Sequence, residues 1–312
     1  VDMMGNTIHN WDMLERGYTM HHAISQDKQG NILATVSKTS AKIANGKDVR
    51  INDFIIRMDP EKGEILQEWD LVNMLDSARY GMTDYNLTAD PYAQNASNWA
   101  HNNGIVEWGN DYLATARYQG IFKFNKAGGI EWIISPHGYW RDRYLKLLLN
   151  PLHADGTPIT DPDVIAGTKN CDDFEWPWGC HTAVPLPNGH IFYFNNGYGR
   201  NFKLDFTDRK NVYTCGIEYE VDEVNRTVRQ VWQYGKERGT AYFTPARSGV
   251  QYLEQTGNRL ICPGMSNMLS NGNRGARVTE VDPETQEIVF ELELEDAIYQ
   301  RVYRMSLYPD NQ

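Results

Sequence analysis

The 312-residue chain is poor in cysteine, with Cys171, Cys180, Cys215 and Cys262 as its four thiols. Their spacing matches no Cys-x-x-Cys zinc pattern, which argues against a domain built around a metal knuckle. Positive charge is also in short supply: 30 Lys and Arg against 41 Asp and Glu leave a formal charge of −11. A nucleic-acid binder needs a basic face to meet phosphates, so that class is set aside. No apolar run approaches the roughly 20 residues of a membrane-crossing helix. The opening VDMMGNTIHN has no initiator methionine and no charged start followed by an apolar stretch. That is expected where a leader has been removed or where the chain begins inside a longer protein. What the chain does have is apolar mass, at 41% hydrophobic and 12% aromatic residues. A large core can be buried, and a disordered chain is excluded.

Internal repetition organises the rest. QGNILATVS (29–37), GNDYLATAR (109–117), NGHIFYFNN (188–196) and TGNRLICPG (256–264) each read as a Gly/Asn turn entering a strand. Each is followed by an alternating strand, a polar turn and a second strand carrying Trp or Phe, at 54–71, 120–135, 217–235 and 278–294. Two hairpins per unit, four units in tandem, predict an all-β fold of the β-propeller type, as one domain over 1–312. The spacing exceeds that of a compact blade, so insertions are expected. Residues 71–97 and 139–170 lack strand alternation and read as lid-like loops, with RYLKLLLNPL a short helix ended by Pro151.

Counting back eight residues from the turn glycine gives His22 from Gly30, His101 from Gly109 and His181 from Gly189. In the fourth unit the same step reaches Gly249, with Arg247 and Ser248 just before it. Equivalent positions of successive blades lie at equivalent radii, so the three histidines should converge at one end of the channel. The period selects His22 over the adjacent His21. His9, His137, His153 and His190 share no register and read as ordinary hydrogen-bonded residues. Two chemistries suit the triad: a zinc site with an open position, or nucleophilic catalysis on a charged group. Asn103, two residues after His101, and Arg117, placed at the end of the first strand of that blade, favour the second. A guanidinium repels a dication and suits an anion with several oxygens. A metal-dependent hydrolase and a non-catalytic binding scaffold are the alternatives. Of the three possible cysteine pairings, Cys171–Cys180 is the most local and would close a small loop just before His181; four buried thiols is the other reading. Trp99, Tyr139, Trp140, Trp176 and Trp178 could form an apolar mouth.

NWAHNN (98–103) with TARYQG (115–120), CHTAVPLPNG (180–189) with NNGYGR (195–200), and VWQYGKERG (231–239) together resemble the bacterial arylsulfate sulfotransferases. The similarity runs from DMMG (2–5) to RVYRMSLYP (301–309). The resemblance implies a periplasmic six-bladed propeller, often dimeric. It implies sulfuryl transfer from an aryl sulfate donor to a phenolic acceptor without a nucleotide donor or other cofactor. By position it implies a sulfated histidine at His181, with His22, His101, Asn103 and Arg117 supporting it. Three departures from the family pattern are expected. Four repeats rather than six are visible, so an open arc would expose sheet edges. A fourth-blade threonine of the family falls near Arg247 or Ser248. The family's disulfide lies a little upstream of the catalytic histidine, whereas Cys180 directly abuts His181.

Overall fold

The turn glycines that mark the repeats adopt the left-handed backbone a tight turn needs, with φ of 85° at Gly30, 64° at Gly109, 85° at Gly189 and 75° at Gly257. Each delivers the chain from the first to the second strand of an antiparallel unit. A computed structural model describes residues 4–45, 48–79, 99–266, 275–299 and 301–303. Blade one is β1 (Thr19–Gln26), β2 (Ile32–Asn45), β3 (Asp48–Met58) and β4 (Ile65–Asp70), and a one-turn helix α1 (Leu71–Met74) follows. Blade two is β5 (Asn102–Trp108), β6 (Asp111–Ala116), β7 (Gly120–Phe124) and β8 (Ile130–Ile134). An insertion then supplies α2 (Asp142–Leu145), β9 (Asn150–Leu152) and α3 (Pro162–Ala166). Blade three is β10 (Ala183–Pro185), β11 (Ile191–Asn195), β12 (Cys215–Asp222) and β13 (Thr227–Tyr234). Blade four is β14 (Gly249–Tyr252), β15 (Arg259–Cys262), β16 (Gly275–Val281) and β17 (Ile288–Glu295).

Strand order follows chain order in every blade. The first strands line up, β1 against β5, β5 against β10 and β10 against β14, which is the arrangement of propeller blades about an axis. Because successive side chains of a strand face opposite ways, each blade feeds two cores. Tyr112, Ala114 and Phe122 pack toward blade one, on Leu33, Ile55 and Trp69. Leu113 and Ile121 pack toward blade three, on Tyr193 and Ile217. Phe192 and Phe194 in turn meet Val250 and Ile261 of blade four. Strands buried on both faces explain the continuous apolar runs such as IFYF.

A second repeated device joins the blades. The fourth-strand tryptophan of each of the first three blades donates its indole N–H to a hairpin turn of the next blade. Trp69 reaches the Lys126 carbonyl at 3.0 Å, Trp132 reaches Glu223 at 2.8 Å, and Trp232 reaches the Pro283 carbonyl at 3.0 Å. In blade four Phe290 stands on β17 and is 51% exposed.

The insertions differ from expectation. The stretch RYLKLLLNPL is helical only through Leu145. Leu148 then bridges Ile133 in parallel, and β9 adds to β13 at the edge of blade three. β-sheet partners next to the chain override its helical composition. Of the 71–97 stretch, residues 80–98 lie outside those described. Cys171 and Cys180 are not joined: all four cysteines are free thiols. The Cys171 Sγ turns to Asp173 Oδ1 at 3.1 Å, while Cys180 is fully buried with its Sγ toward the Ala116 carbonyl. Trp99, Trp140, Trp176 and Trp178 are core residues rather than a mouth, and Tyr139 is the one of the five that is exposed.

Candidate active site

The three register histidines meet. The ring of His22 lies 4.6 Å from that of His101 and 6.4 Å from that of His181, centroid to centroid. Their backbones are shaped for this. His22 and His101 have φ of 50° and 55°, in the left-handed region that costs an L-residue about 1–2 kcal/mol. His22 stands where the first strand of blade one slips register against the second, between Met20 and Ile24, whereas His101 directly precedes β5, whose own slip against β6 falls between Asn102 and Gly104. Thr35, from the LAT of the first repeat, bonds both flanks of the bulge: it accepts from the Ala23 N–H at 3.1 Å and donates to the His21 carbonyl. Asp53 fixes His101, accepting its N–H at 2.8 Å. Asp53 also stands 3.5 Å from the His21 ring nitrogen.

His181 is 1% exposed, and its main-chain N–H bonds the Phe194 carbonyl. Its Nδ1 lies 2.6 Å from Asn196 Oδ1. Asn196 in turn donates its amide to the carbonyls of Thr244 at 2.9 Å and Arg247 at 3.3 Å. With the amide nitrogen committed to two acceptors, Asn196 Oδ1 must face the ring, so Nδ1 carries the proton and Nε2 keeps its lone pair. Asn103 is buried, and it donates to the Cys180 carbonyl at 3.0 Å, tethering the residue before His181.

Arg117 follows β6, the second strand of its blade rather than the first. It is 1% exposed, stacks its guanidinium 4.4 Å from the Tyr198 ring centroid and donates to the Pro245 carbonyl at 2.7 Å. Gly179, at φ 63°, brings the loop before His181 against this guanidinium. Burial holds the His181 pKa well below 6.5, and the nearby Arg117 pushes it further down. Of the two causes burial is the larger. His101 is depressed by burial and by its neighbour His22. Burial, with His21 beside it, brings His22 to about 3. All three imidazoles are neutral at pH 7.

Besides Asp53, the sequence missed three contributors. Asn196 sits directly after the second strand of blade three, as Arg117 does in blade two, and that shared position was the available signal. Arg301 donates to the Asn103 carbonyl and acts electrostatically on His22 and His181. Thr244 lies three residues before Arg247 and supports Asn196. Arg247 and Ser248 do have left-handed backbones, at φ 68° and 91°. Ser248 Oγ accepts from the Gly264 N–H at 2.8 Å, and Arg247 offers Asn196 its carbonyl. Of the histidines without register, His137 bonds the Leu149 carbonyl and His190 bonds Glu218, in ordinary structural roles.

Several buried polar atoms gather here without a hydrogen-bond partner among the described residues: His101 Nδ1, Asn103 Oδ1, Thr182 Oγ1 and Arg301 Nε. Buried polar groups are nearly always bonded, so such a concentration marks a place prepared for a polar ligand. A neutral imidazole nitrogen with its lone pair free, a buried guanidinium and convergent polar groups together suit an anionic, multi-oxygen group.

Comparison with known sequences places the chain in a family. The profile of a family described as Arylsulfotransferase (ASST) matches residues 1–304. The chain is 28% identical over 342 residues to the arylsulfate sulfotransferase AssT of Escherichia coli O6:H1 (strain CFT073). It is 29% identical over 343 residues to the protein of the same name from Lelliottia amnigena. Both alignments cover 100% of this chain and 56% of the relative, so the chain spans about half the length of the curated relatives it matches. With a match that runs through every blade and takes in all three register histidines, the chain belongs to the arylsulfotransferase family.

Proposed function

We propose that this site transfers a sulfuryl group from an aryl sulfate ester to a phenolic acceptor through a sulfohistidine on His181. The observation that carries the reading is the 2.6 Å contact of His181 Nδ1 with Asn196, which leaves Nε2 as a neutral nucleophile beside Arg117. In the first half-reaction the Nε2 lone pair attacks sulfur in line with the ester oxygen. The Nε2–S bond forms as the S–O bond breaks, and the phenolate departs with the bonding electrons. The ring becomes positively charged, and Asn196 Oδ1, facing Nδ1–H, stabilises it. Arg117 and one N–H of Asn103 bind the sulfuryl oxygens, where charge builds as in phosphoryl transfer. His22 and His101 are neutral, so they serve the departing oxygen as hydrogen-bond donors rather than as strong acids. In the second half-reaction the acceptor phenol oxygen attacks sulfur, the Nε2–S bond breaks and His181 returns to its neutral form. The acceptor's proton balances the phenolate released earlier.

The family resemblance points to a periplasmic location and a dimer. Two guanidiniums close to the histidines, Arg117 and Arg301, disfavour the alternative of a dication held by the imidazoles.

Brief mixing with a chromogenic aryl sulfate, without acceptor, followed by intact-mass spectrometry tests the reading. A gain of one sulfuryl group with a matching burst of phenol, both absent from His181→Ala, is the expected result. A folded protein that shows neither adduct nor phenol release would overturn it.

A further inference from the structure

The insertion between blades two and three holds a second cluster of reactive groups, remote in role from the histidine site. His153, Cys171 and Asp173 each offer one ligand atom, and these atoms all lie within 4.8 Å of one another. His153 Nδ1 is 3.0 Å from Asp173 Oδ1, and Cys171 Sγ is 3.1 Å from the same oxygen. The sequence assigned His153 an ordinary structural role and Cys171 a disulfide. Neither reading accounts for their meeting on one carboxylate.

We infer that His153, Cys171 and Asp173 form a zinc site with an open fourth position. The donor set is one imidazole nitrogen, one soft sulfur and one carboxylate oxygen, a combination that suits zinc over magnesium or calcium. Charge balances: a dication against a thiolate and a carboxylate leaves a neutral site, so burial in the protein surface costs little. Binding displaces the thiol proton of Cys171 to solvent, and the Nδ1 proton of His153 moves to Nε2.

The supports are already in place. His153 stands on a tight turn, its N–H on the Thr157 carbonyl at 2.8 Å and its own carbonyl accepting from the Gly156 N–H at 2.9 Å. The second oxygen of Asp173 accepts from the Ala154 N–H at 2.9 Å, which orients the carboxylate as outer-shell partners orient metal ligands. Side-chain exposure of 39% for His153 and 37% for Asp173 leaves an ion a path in. Asp173 is followed by Phe174, Trp176 and Trp178 in the core, and then by Cys180 and His181. β9, next to His153, is paired to blade three. A metal here would clamp the insertion to the segment that leads to the catalytic histidine.

Cobalt titration of the reduced chain tests the site. Expected are one equivalent of Co²⁺ with a thiolate-to-cobalt charge-transfer band in the near ultraviolet, displaced by Zn²⁺ and lost in Cys171→Ser. Cys180, Cys215 and Cys262 are buried, so a band would report Cys171. His153→Gln and Asp173→Asn should each weaken binding at least ~10-fold while circular dichroism stays unchanged. Zn²⁺ should raise the melting temperature of the wild-type chain and leave that of Cys171→Ser unmoved. A folded wild-type protein with no charge-transfer band, or a band that survives Cys171→Ser, would overturn the site and leave a hydrogen-bonded surface trio. Either result leaves the sulfuryl-transfer reading untouched, because no residue is shared.

Discussion

His181 can act as a nucleophile only while Nε2 is unprotonated and Nδ1 holds the single proton. Burial and Arg117 secure the first condition, and Asn196 secures the second. A lowered pKa has a definite sign in kinetics. Protonation would silence the nucleophile, so the acid limb of kcat for the first half-reaction should fall well below pH 6.5, the ordinary histidine value. Stopped-flow phenol bursts from pH 8 down to pH 5 should therefore keep a nearly constant rate, and a titration centred near 6.5 would contradict the assignment. Asn196→Ala leaves the imidazole free to change tautomer and rotate. Its kcat should drop by about 10²-fold with KM little changed, as expected when a reacting group loses its orientation rather than its substrate. A rise in KM at constant kcat would instead make Asn196 a substrate contact.

At the scale of single elements, the backbone turns left-handed at His22 within β1 and at His101 just before β5, and the strain has a measurable consequence. At φ 55° a glycine is relaxed and an alanine is not. His101→Gly should therefore be more stable than His101→Ala by about 1 kcal/mol in urea unfolding, though both lose activity. Equal stabilities would mean that the left-handed backbone at this position relaxes once the imidazole is gone. The indole bonds between blades give a second case. Trp132→Phe keeps most of the buried ring but leaves Glu223 short of a donor, for an expected loss of about 1–2 kcal/mol by denaturant unfolding. These two devices differ in how legible they were. The histidine register could be read because the turn glycine fixes strand position, and one step of eight residues reaches the same radius in three blades. The alternating Trp and Phe of the outer strands were visible too, but not their partners, since those lie on the turn of the next blade. Asp53 and Arg301 were illegible for the same reason: each acts on a residue of another blade, 48 residues away for Asp53 and His101 and 198 for Arg301 and Asn103. The helix expected through RYLKLLLNPL failed because neighbouring strands supplied backbone partners that local composition cannot reveal.

For the molecule as a whole, the tryptophan device makes blade four different in kind from the others. In the first three blades the outer strand hands an aromatic ring to the next turn. In blade four that strand, β17, exposes Ile288, Val289, Phe290 and Leu292 instead. Val289, Phe290 and Leu292 line a groove of about 650 Å³ shared with Val302 and Tyr303. Charge offers partial protection: Glu291 pairs with Arg238 and Arg277, and Glu293 pairs with Arg277, on the same strand. An apolar strand at the end of a sheet is a template for association, and charges along it blunt that tendency without abolishing it. The chain should therefore associate in a concentration-dependent way, seen as a rising apparent mass in light scattering. Phe290→Lys should suppress the association, because it places a charge in the centre of the patch without removing a buried contact. Its melting temperature should stay within about 0.5 kcal/mol equivalent of the wild type, as expected of a surface substitution. Unchanged association in Phe290→Lys would move the contact elsewhere on the molecule. A large loss of stability would mean that Phe290 is packed in solution, and that β17 is covered where this structure leaves it open.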